Sequence, residues 1–248
     1  MDFDPGQLAI MGLALAGGAL IKGATGMGLP LIALPALTAC IGLQHAVAVM
    51  VVPITYTNLS QAWRFRALAR HERMGFLPLF LTFGGIGIVI GTLVLSSLPE
   101  RGLELILGGI VLLYLVARFA LPDLAIGPGT ARRLGPPTGL AAGVLQGATG
   151  ISAPVGVTFI HSMGLEREAM VFAVSAMFLM FSVVQMVSLG AVGLLGASEL
   201  LEGALAQILI LIFMPLGQIL ANRLSHRTFD RLILVFLGLM GIKMVLGI

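Results

Sequence analysis

The stretch "KGATGMGLP" (22–30) lies inside a long apolar run and returns 124 residues later as "QGATGISAP" (146–154). Each copy puts the small residues GATG, and then a proline, where a membrane helix would continue. Glycine permits a tight turn and lets a ligand approach the backbone closely. Proline in the first turn of a helix lacks only a donor that has no helical partner there. Each copy therefore predicts a half-helix, a turn and a second half-helix, with the returning arms starting near Gly28 and Ser152. The first N–H groups of a helix are unpaired and carry partial positive charge. Two such tips meeting at mid-membrane would form an anion site largely from backbone.

Composition sets the frame for this reading. The chain has 248 residues, of which 58% are hydrophobic and 10% charged, against roughly 25% charged in soluble domains. Apolar runs cover 8–40, 43–63, 74–98, 103–122, 134–160, 169–198, 200–221 and 232–248. Several exceed the ~20 residues that a helix needs to span the hydrocarbon, and none alternates as barrel strands do. The expectation is an all-α polytopic membrane protein. Its net charge of +3 does not indicate nucleic acid, because the arginines fall in loops between spans, as membrane topology alone produces. The single cysteine, Cys40, allows no internal disulfide and builds no thiolate metal site by itself. No metal and no cofactor is expected. Met1, Asp2 and Asp4 make the start acidic where a signal peptide is basic. With no soluble domain evident, function is expected in or near the bilayer.

The repeat extends beyond GATG. Pro30 and Pro154 keep the same offset, as do Asn58 with Ser182 and Gln61 with Gln185. "IGTLVLSSLPERGLELIL" (90–107) resembles "LGQILANRLSHRTFDRLI" (216–233), with Gly91 over Gly217. The chain divides into a first half, 1–122, a cytoplasmic linker, 123–133, and a second half, 134–248. If the first segment of each half is a re-entrant hairpin, each half crosses three times and the halves are inverted. That arrangement puts Arg64, Arg66, Arg70, Arg73, Arg118, Arg132, Arg133, Arg167, Arg223, Arg227 and Arg231 on one side, and Arg101 alone on the other. Four full crossings per half would spread them over both sides. The positive-inside rule favours the inverted, re-entrant arrangement, with the Arg-rich loops 64–73, 118–133 and 222–231 cytoplasmic. The arms, 8–22 with 28–41 and 136–146 with 152–162, have half-span lengths. Broken helices at matched positions of two inverted repeats are a transporter architecture.

Lys22 is the one basic residue that this arrangement places at depth, at a cost on the order of 3 kcal/mol. No carboxylate falls near it, so a bound anion would supply the counter-charge. Its repeat mate Gln146 is neutral. The candidate binding set is Lys22, Gly23, Thr25, Gly26, Gly28, Gln146, Gly147, Thr149, Gly150 and Ser152, with Thr25, Thr149 and Ser152 adding hydroxyl donors. Plainer readings stand beside it. Glycine-rich breaks also serve close helix packing, and a lysine can snorkel to the interface. Tyr56, Thr57, Asn58, Gln61, Ser175, Ser182 and Gln185, on the segments that follow the hairpins, fit ligand contacts and helix–helix hydrogen bonds equally. His45, near a hairpin end, fits a structural role better than a proton relay. Gln207 and Gln218 read as packing contacts.

"KGATGMGLPLIALPAL" (22–37), "QGATGISAP" (146–154) and "GTLVLSSLPERGLELILGGIVLLYLV" (91–116) resemble the sulfite exporter TauE/SafE family, within the toluene sulfonate uptake permease group. The resemblance runs through both halves. It implies transport of small sulfur-containing anions: sulfite, sulfoacetate and other organosulfonates. The matching motif positions are Gly23, Thr25, Gly26, Gly28 and Pro30, then Gly147, Thr149, Gly150 and Pro154, with Ser152 replacing the glycine of the first copy.

The expected function is thus a multi-pass secondary transporter, with export as the expected direction, in a bacterial-type inner membrane. It binds a small anion, sits in a lipid bilayer, and forms a homodimer if a second copy covers its apolar faces. The alternative is a passive anion channel using the same tips. No nucleotide-binding motif of the G-x-x-x-x-G-K-[ST] type occurs. An intramembrane enzyme is not expected, because no histidine is evidently placed to activate Ser152.

Overall fold

Residues 5–26, 28–120, 125–221 and 226–247 are described by a computed structural model, with side chains at 6–26, 28–116, 125–219 and 234–247. The helices are α1 (Pro5–Thr25), α2 (Leu29–Ile41), α3 (Leu43–Arg64), α4 (Leu77–Ser97), α5 (Glu100–Ala120), α6 (Pro128–Thr149), α7 (Gly156–His161), α8 (Arg167–Ala191), α9 (Ala197–Ala221) and α10 (His226–Leu246). Two short 3-10 turns, Arg66–Arg70 and Glu72–Phe76, join α3 to α4. Among the described residues there is no strand, as the apolar runs predict. Among the described residues, four stretches, Gly6–Thr25, Glu72–Ser97, Arg167–Ala191 and Ala197–Ile219, are long and apolar enough to cross a membrane. The protein is a multi-pass membrane protein.

Each GATG stretch ends a helix, but the arms differ from the expected half-spans. α1 has 21 residues and α2 has 13, while α6 has 22 and α7 only 6. The outgoing arms are longer for a local reason. The letters GAT continue the helix in both copies, and the chain breaks only at the second glycine. α6 also starts early, at Pro128 in its first turn, where proline needs no partner for its missing N–H. Residues 128–133, including Arg132 and Arg133, are therefore helix rather than linker, and Pro136 and Pro137 lie within α6. Residues 123–124 of the expected linker, 121–122 just before it and 222–225 of the third Arg-rich loop fall outside the described residues, as do the side chains of Arg118, Arg223, Arg227 and Arg231.

Glycines set the closest helix contacts. α4 lies along α6, where a β-carbon at Gly139, Gly143 or Gly147 would overlap the carbonyls of Phe80, Gly84 or Ile88 respectively. From the other side, a β-carbon at Gly91 would overlap the Val144 carbonyl. Without side chains in the way, the two backbones meet directly, as small residues allow in membranes. α1 lies on α9 through the same device: Gly23 faces the Met214 carbonyl and Gly217 faces the Leu20 carbonyl. α3 packs on α8, α5 on α10, α3 on α9 and α4 on α8. Phe76, Phe80, Phe159 and Phe181 fill the space beside α4, with Phe80 stacked on Phe159 at 5.6 Å and on Phe181 at 6.1 Å.

The two ends of the bundle carry different charges. At the start of α3, His45 Nε2 lies 2.6 Å from Glu202 Oε2, and Glu199 is 3.9 Å from the other ring nitrogen. At the same end, Glu100 lies against Gly42, and Arg101 donates to the Met244 and Val245 carbonyls at 2.7 Å each. At the other end of α3, Arg73 donates to the Gly164 carbonyl and the Arg132 guanidinium lies against Gly75. Arg101 thus ties α5 to the C-terminal carbonyls of α10, where a cation is favoured by the helix dipole. It is half exposed, so Arg101→Ala is expected to cost only about 1 kcal/mol and a Tm drop of about 2–4 °C. Arg101→Lys should recover little, because one ammonium cannot fork to two carbonyls in this geometry. Thermal unfolding in detergent checks both.

Candidate functional site at the hairpin tips

The two GATG stretches close their helices alike. Gly26 has φ 82° and its N–H donates to the Lys22 carbonyl at 2.7 Å. Gly150 has φ 73° and its N–H donates to the Gln146 carbonyl, also at 2.7 Å. Both are left-handed C-terminal positions, which glycine adopts without the β-carbon penalty. The threonines belong to the same closure. Thr25 donates to the Ile21 carbonyl at 2.9 Å and Thr149 to the Leu145 carbonyl at 2.8 Å. Their hydroxyl protons, expected to point at a ligand, are directed instead at the last turns of their own helices.

The returning arms diverge where the sequences do. Gly28, with φ 97°, precedes α2, and Pro30 sits in that helix's first turn. Ser152 replaces it in the second copy, and there the chain makes a turn before α7 begins at Gly156. The Gly156 N–H donates to the Ser152 carbonyl at 2.7 Å. The expected start of the second arm at Ser152 is thus four residues early, and Pro154 lies in the turn rather than in the helix. Six-residue α7 offers no long helix whose N-terminus could hold an anion, which removes half of the expected backbone site. Ser152 is fully buried and its hydroxyl has no hydrogen-bond partner.

Each tip rests on the opposite half. Gly26 lies beside Val171 of α8, near the Gln61 amide, and Gly150 lies beside Leu34 of α2 and Val47 of α3. Val47 and Val171 stand 124 residues apart, the offset of the motif itself. The first tip, Gly23–Gly26 with Gly28, is half-buried, whereas Gly147, Thr149 and Gly150 are buried. Gly23 and Gly147 face neighbouring backbone, so close packing accounts for the first glycine of each motif.

One turn before each tip, a long polar side chain reaches the helix that follows the hairpin. Lys22 is 2% exposed, and its Nζ donates to Asn58 Oδ1 on α3 at 2.9 Å. Asn58 Nδ2 donates to the Ile54 carbonyl of its own helix at 2.7 Å, which fixes the amide with its oxygen toward the lysine. An ammonium has three donors, and among the described residues Asn58 is the only side-chain partner of Lys22. The snorkelling alternative does not describe this lysine, whose head group is inside the protein. In the second half, Gln146 Nε2 donates to Gln185 Oε1 on α8 at 3.0 Å, and Gln185 Nε2 donates to the Gln146 carbonyl at 2.9 Å. Between the halves, Ser175 on α8 donates to Gln61 Oε1 on α3 at 3.1 Å. Ser182 donates to the Leu179 carbonyl within α8.

The structure therefore gathers Lys22, Asn58, Gln61, Gln146, Ser175 and Gln185 around the two tips. His45 does not belong there. Thirteen residues separate it from Asn58 along α3, about 20 Å at 1.5 Å per residue, and it pairs with Glu202 at the helix's far end. Gln207 is buried with neither amide atom hydrogen-bonded among the described residues. Among the described residues, no group of three metal-ligating side chains comes together.

A sequence model of the family described as sulfite exporter TauE/SafE matches residues 10–244. The chain belongs to the sulfite exporter TauE/SafE family. The match takes in both GATG stretches and every helix described above except the outermost residues of α1 and α10. TauE/SafE members are membrane transporters, in keeping with the multi-pass helical fold. No curated protein and no solved structure matches the chain.

Proposed function

We propose that this TauE/SafE protein is a secondary transporter that exports sulfite or a small organosulfonate, bound between the hairpin tips with its anionic group on Lys22. One observation carries the reading. Among the described residues, Lys22 is a lysine held inside a membrane protein by a neutral asparagine alone. A charge so placed is costly unless it has a partner, and intramembrane ionisable groups mark substrate paths. An oxyanion supplies both the missing charge and acceptors for the remaining ammonium donors.

The two halves are read as inverted repeats, with α1–α2 and α6–α7 entering as re-entrant hairpins from opposite faces. The contacts that support this are reciprocal. Gly147 of the second half against Ile88 of the first corresponds, at the repeat offsets, to Gly23 of the first half against Met214 of the second. Gly91 against Val144 corresponds to Gly217 against Leu20. The end carrying Arg64–Arg73 and Arg132 is cytoplasmic by the positive-inside rule, and the His45, Glu199 and Glu202 end faces outward, in a bacterial-type inner membrane. Relative movement of the hairpins against α3 and α8 would expose the tips to one side at a time.

Flux measurement in proteoliposomes tests the proposal. Radiolabelled sulfite is expected to cross with saturable kinetics, and unlabelled sulfite on the opposite face should accelerate its exchange. Rates that never saturate, or single-channel currents in planar bilayers, would establish the channel instead. Absence of any sulfite or sulfonate flux would remove the substrate assignment.

A further inference from the structure

We infer that the transported species carries a single negative charge, because the site holds one cation, Lys22, opposite a neutral repeat mate, Gln146. The inference rests on the transport site proposed above and narrows its substrate class. Lys22 and Gln146 occupy the same place in their halves, four residues before the left-handed glycines Gly26 and Gly150. Each is bonded to the helix that follows its hairpin, at 2.9 Å to Asn58 and at 3.0 Å to Gln185. Lys22 is 2%, Asn58 3%, Gln146 0% and Gln185 1% exposed. Among the described residues, Lys22 is the one charged side chain that is buried. It can balance one negative charge. A second would enter the interior with no counter-charge, and burying an unpaired ion is strongly unfavourable.

The Gln146 end also selects by hydrogen bonding. Its Nε2 is used by Gln185 and the Gln185 Nε2 is used by the Gln146 backbone. Rotating either amide by half a turn would set oxygen against oxygen, so the network fixes both orientations. What remains is Gln146 Oε1, buried and without a donor, with the unpartnered Ser152 hydroxyl also near the second tip. A lone carbonyl oxygen repels a carboxylate and accepts from O–H or N–H. The favoured ligand therefore has one sulfur oxyanion group and a neutral, preferably proton-donating, remainder. Hydrogen sulfite and hydroxyalkanesulfonates satisfy this description. Sulfite as a dianion and sulfoacetate, with its second carboxylate, do not.

The test compares hydroxyethanesulfonate with sulfoacetate, two sulfonates of similar size that differ in one charge, by binding to the purified full-length protein near neutral pH. Wild type is expected to prefer hydroxyethanesulfonate by at least tenfold. Gln146→Lys places a second cation at the repeat mate of Lys22 and should reverse the order. Gln146→Met removes the acceptor without adding charge. It should keep discrimination against sulfoacetate while erasing the advantage of hydroxyethanesulfonate over its methyl-ended analogue propanesulfonate. The wild-type comparison decides the charge rule even where Gln146→Lys does not fold. Sulfoacetate binding wild type as tightly as hydroxyethanesulfonate overturns the inference and leaves the transport site standing. If neither sulfonate nor sulfite binds, the site itself is overturned.

Discussion

Lys22→Met is expected to bind sulfite at least tenfold more weakly than wild type, yet to unfold at nearly the same temperature. The two halves of this expectation come from separate terms. Binding loses a charge-assisted contact between ammonium and oxyanion, of a kind worth roughly 1.5–3 kcal/mol, which is a factor of ten or more. Stability loses and gains together. Removing a lysine from the membrane interior relieves on the order of 3 kcal/mol, while Asn58 Oδ1 is left without its donor at about 1–3 kcal/mol. Methionine fills most of the lysine's volume, so no large cavity adds to the loss. A residue kept for stability would show the opposite pattern, a lower Tm with unchanged affinity. Radioligand binding and a thermal melt on the same preparation separate the two. Unchanged affinity in Lys22→Met would make Lys22 a structural lysine held by Asn58, and the anion would have to be sought elsewhere at the tips.

The helical fold and the place of both breaks are legible in the sequence because each rests on local chemistry. Apolar length defines a membrane helix, and a duplicated GATG with a proline behind it defines a turn. Gly26 and Gly150 adopt left-handed backbone at matching positions, as that pattern requires. The helix lengths are less legible. Nothing in "PGTARRLGPP" (128–137) announces a helix, since it has two glycines, three prolines and two arginines beside the apolar run. Residues 128–134 are nevertheless helical, and α6 is held along α4 by tertiary packing that local propensity does not report. The hydroxyl roles escape a sequence reading for a related reason. Thr25 and Thr149 stand one residue before the helix break, where a side chain can equally face a ligand or return to the carbonyl four residues back, and both take the second option. Lys22 and Gln146 are recognisable as odd residues in an apolar run. Their partners Asn58 and Gln185 lie 36 and 39 residues away, and only the folded arrangement of hairpin against following helix pairs them. His45 pairs with Glu202 at the far end of α3, the kind of structural role that its place near a hairpin end suggests.

Gly143→Val is expected to abolish folding, at a cost above about 4 kcal/mol, a magnitude reached only when packing is broken outright. At this position a β-carbon would overlap the Gly84 carbonyl and lie 2.9 Å from the Gly84 α-carbon. The obstacle is backbone on both sides, so no rotamer change relieves it, and α4 and α6 must separate along their length. Separation undoes the neighbouring contacts at Gly139 and Gly147 together with the seat of Phe181 against Gly84. It also shifts the second tip, because Gly147 to Thr149 continue the same helix and Gly150 closes it. The control uses the same residue type in a different place. Gly109, inside α5, has nothing within 4 Å of where a β-carbon would sit, so Gly109→Ala should raise stability by about 0.5–1 kcal/mol, the helical advantage of alanine over glycine. Gly23→Val repeats the experiment on the other half, against the Met214 carbonyl, and should fail in the same way as Gly143→Val. Size-exclusion profiles and thermal melts of the three variants report the outcome. A well-folded Gly143→Val that still binds sulfite would mean that α4 and α6 do not approach through glycine, and without that approach the second tip has no fixed position opposite Val47.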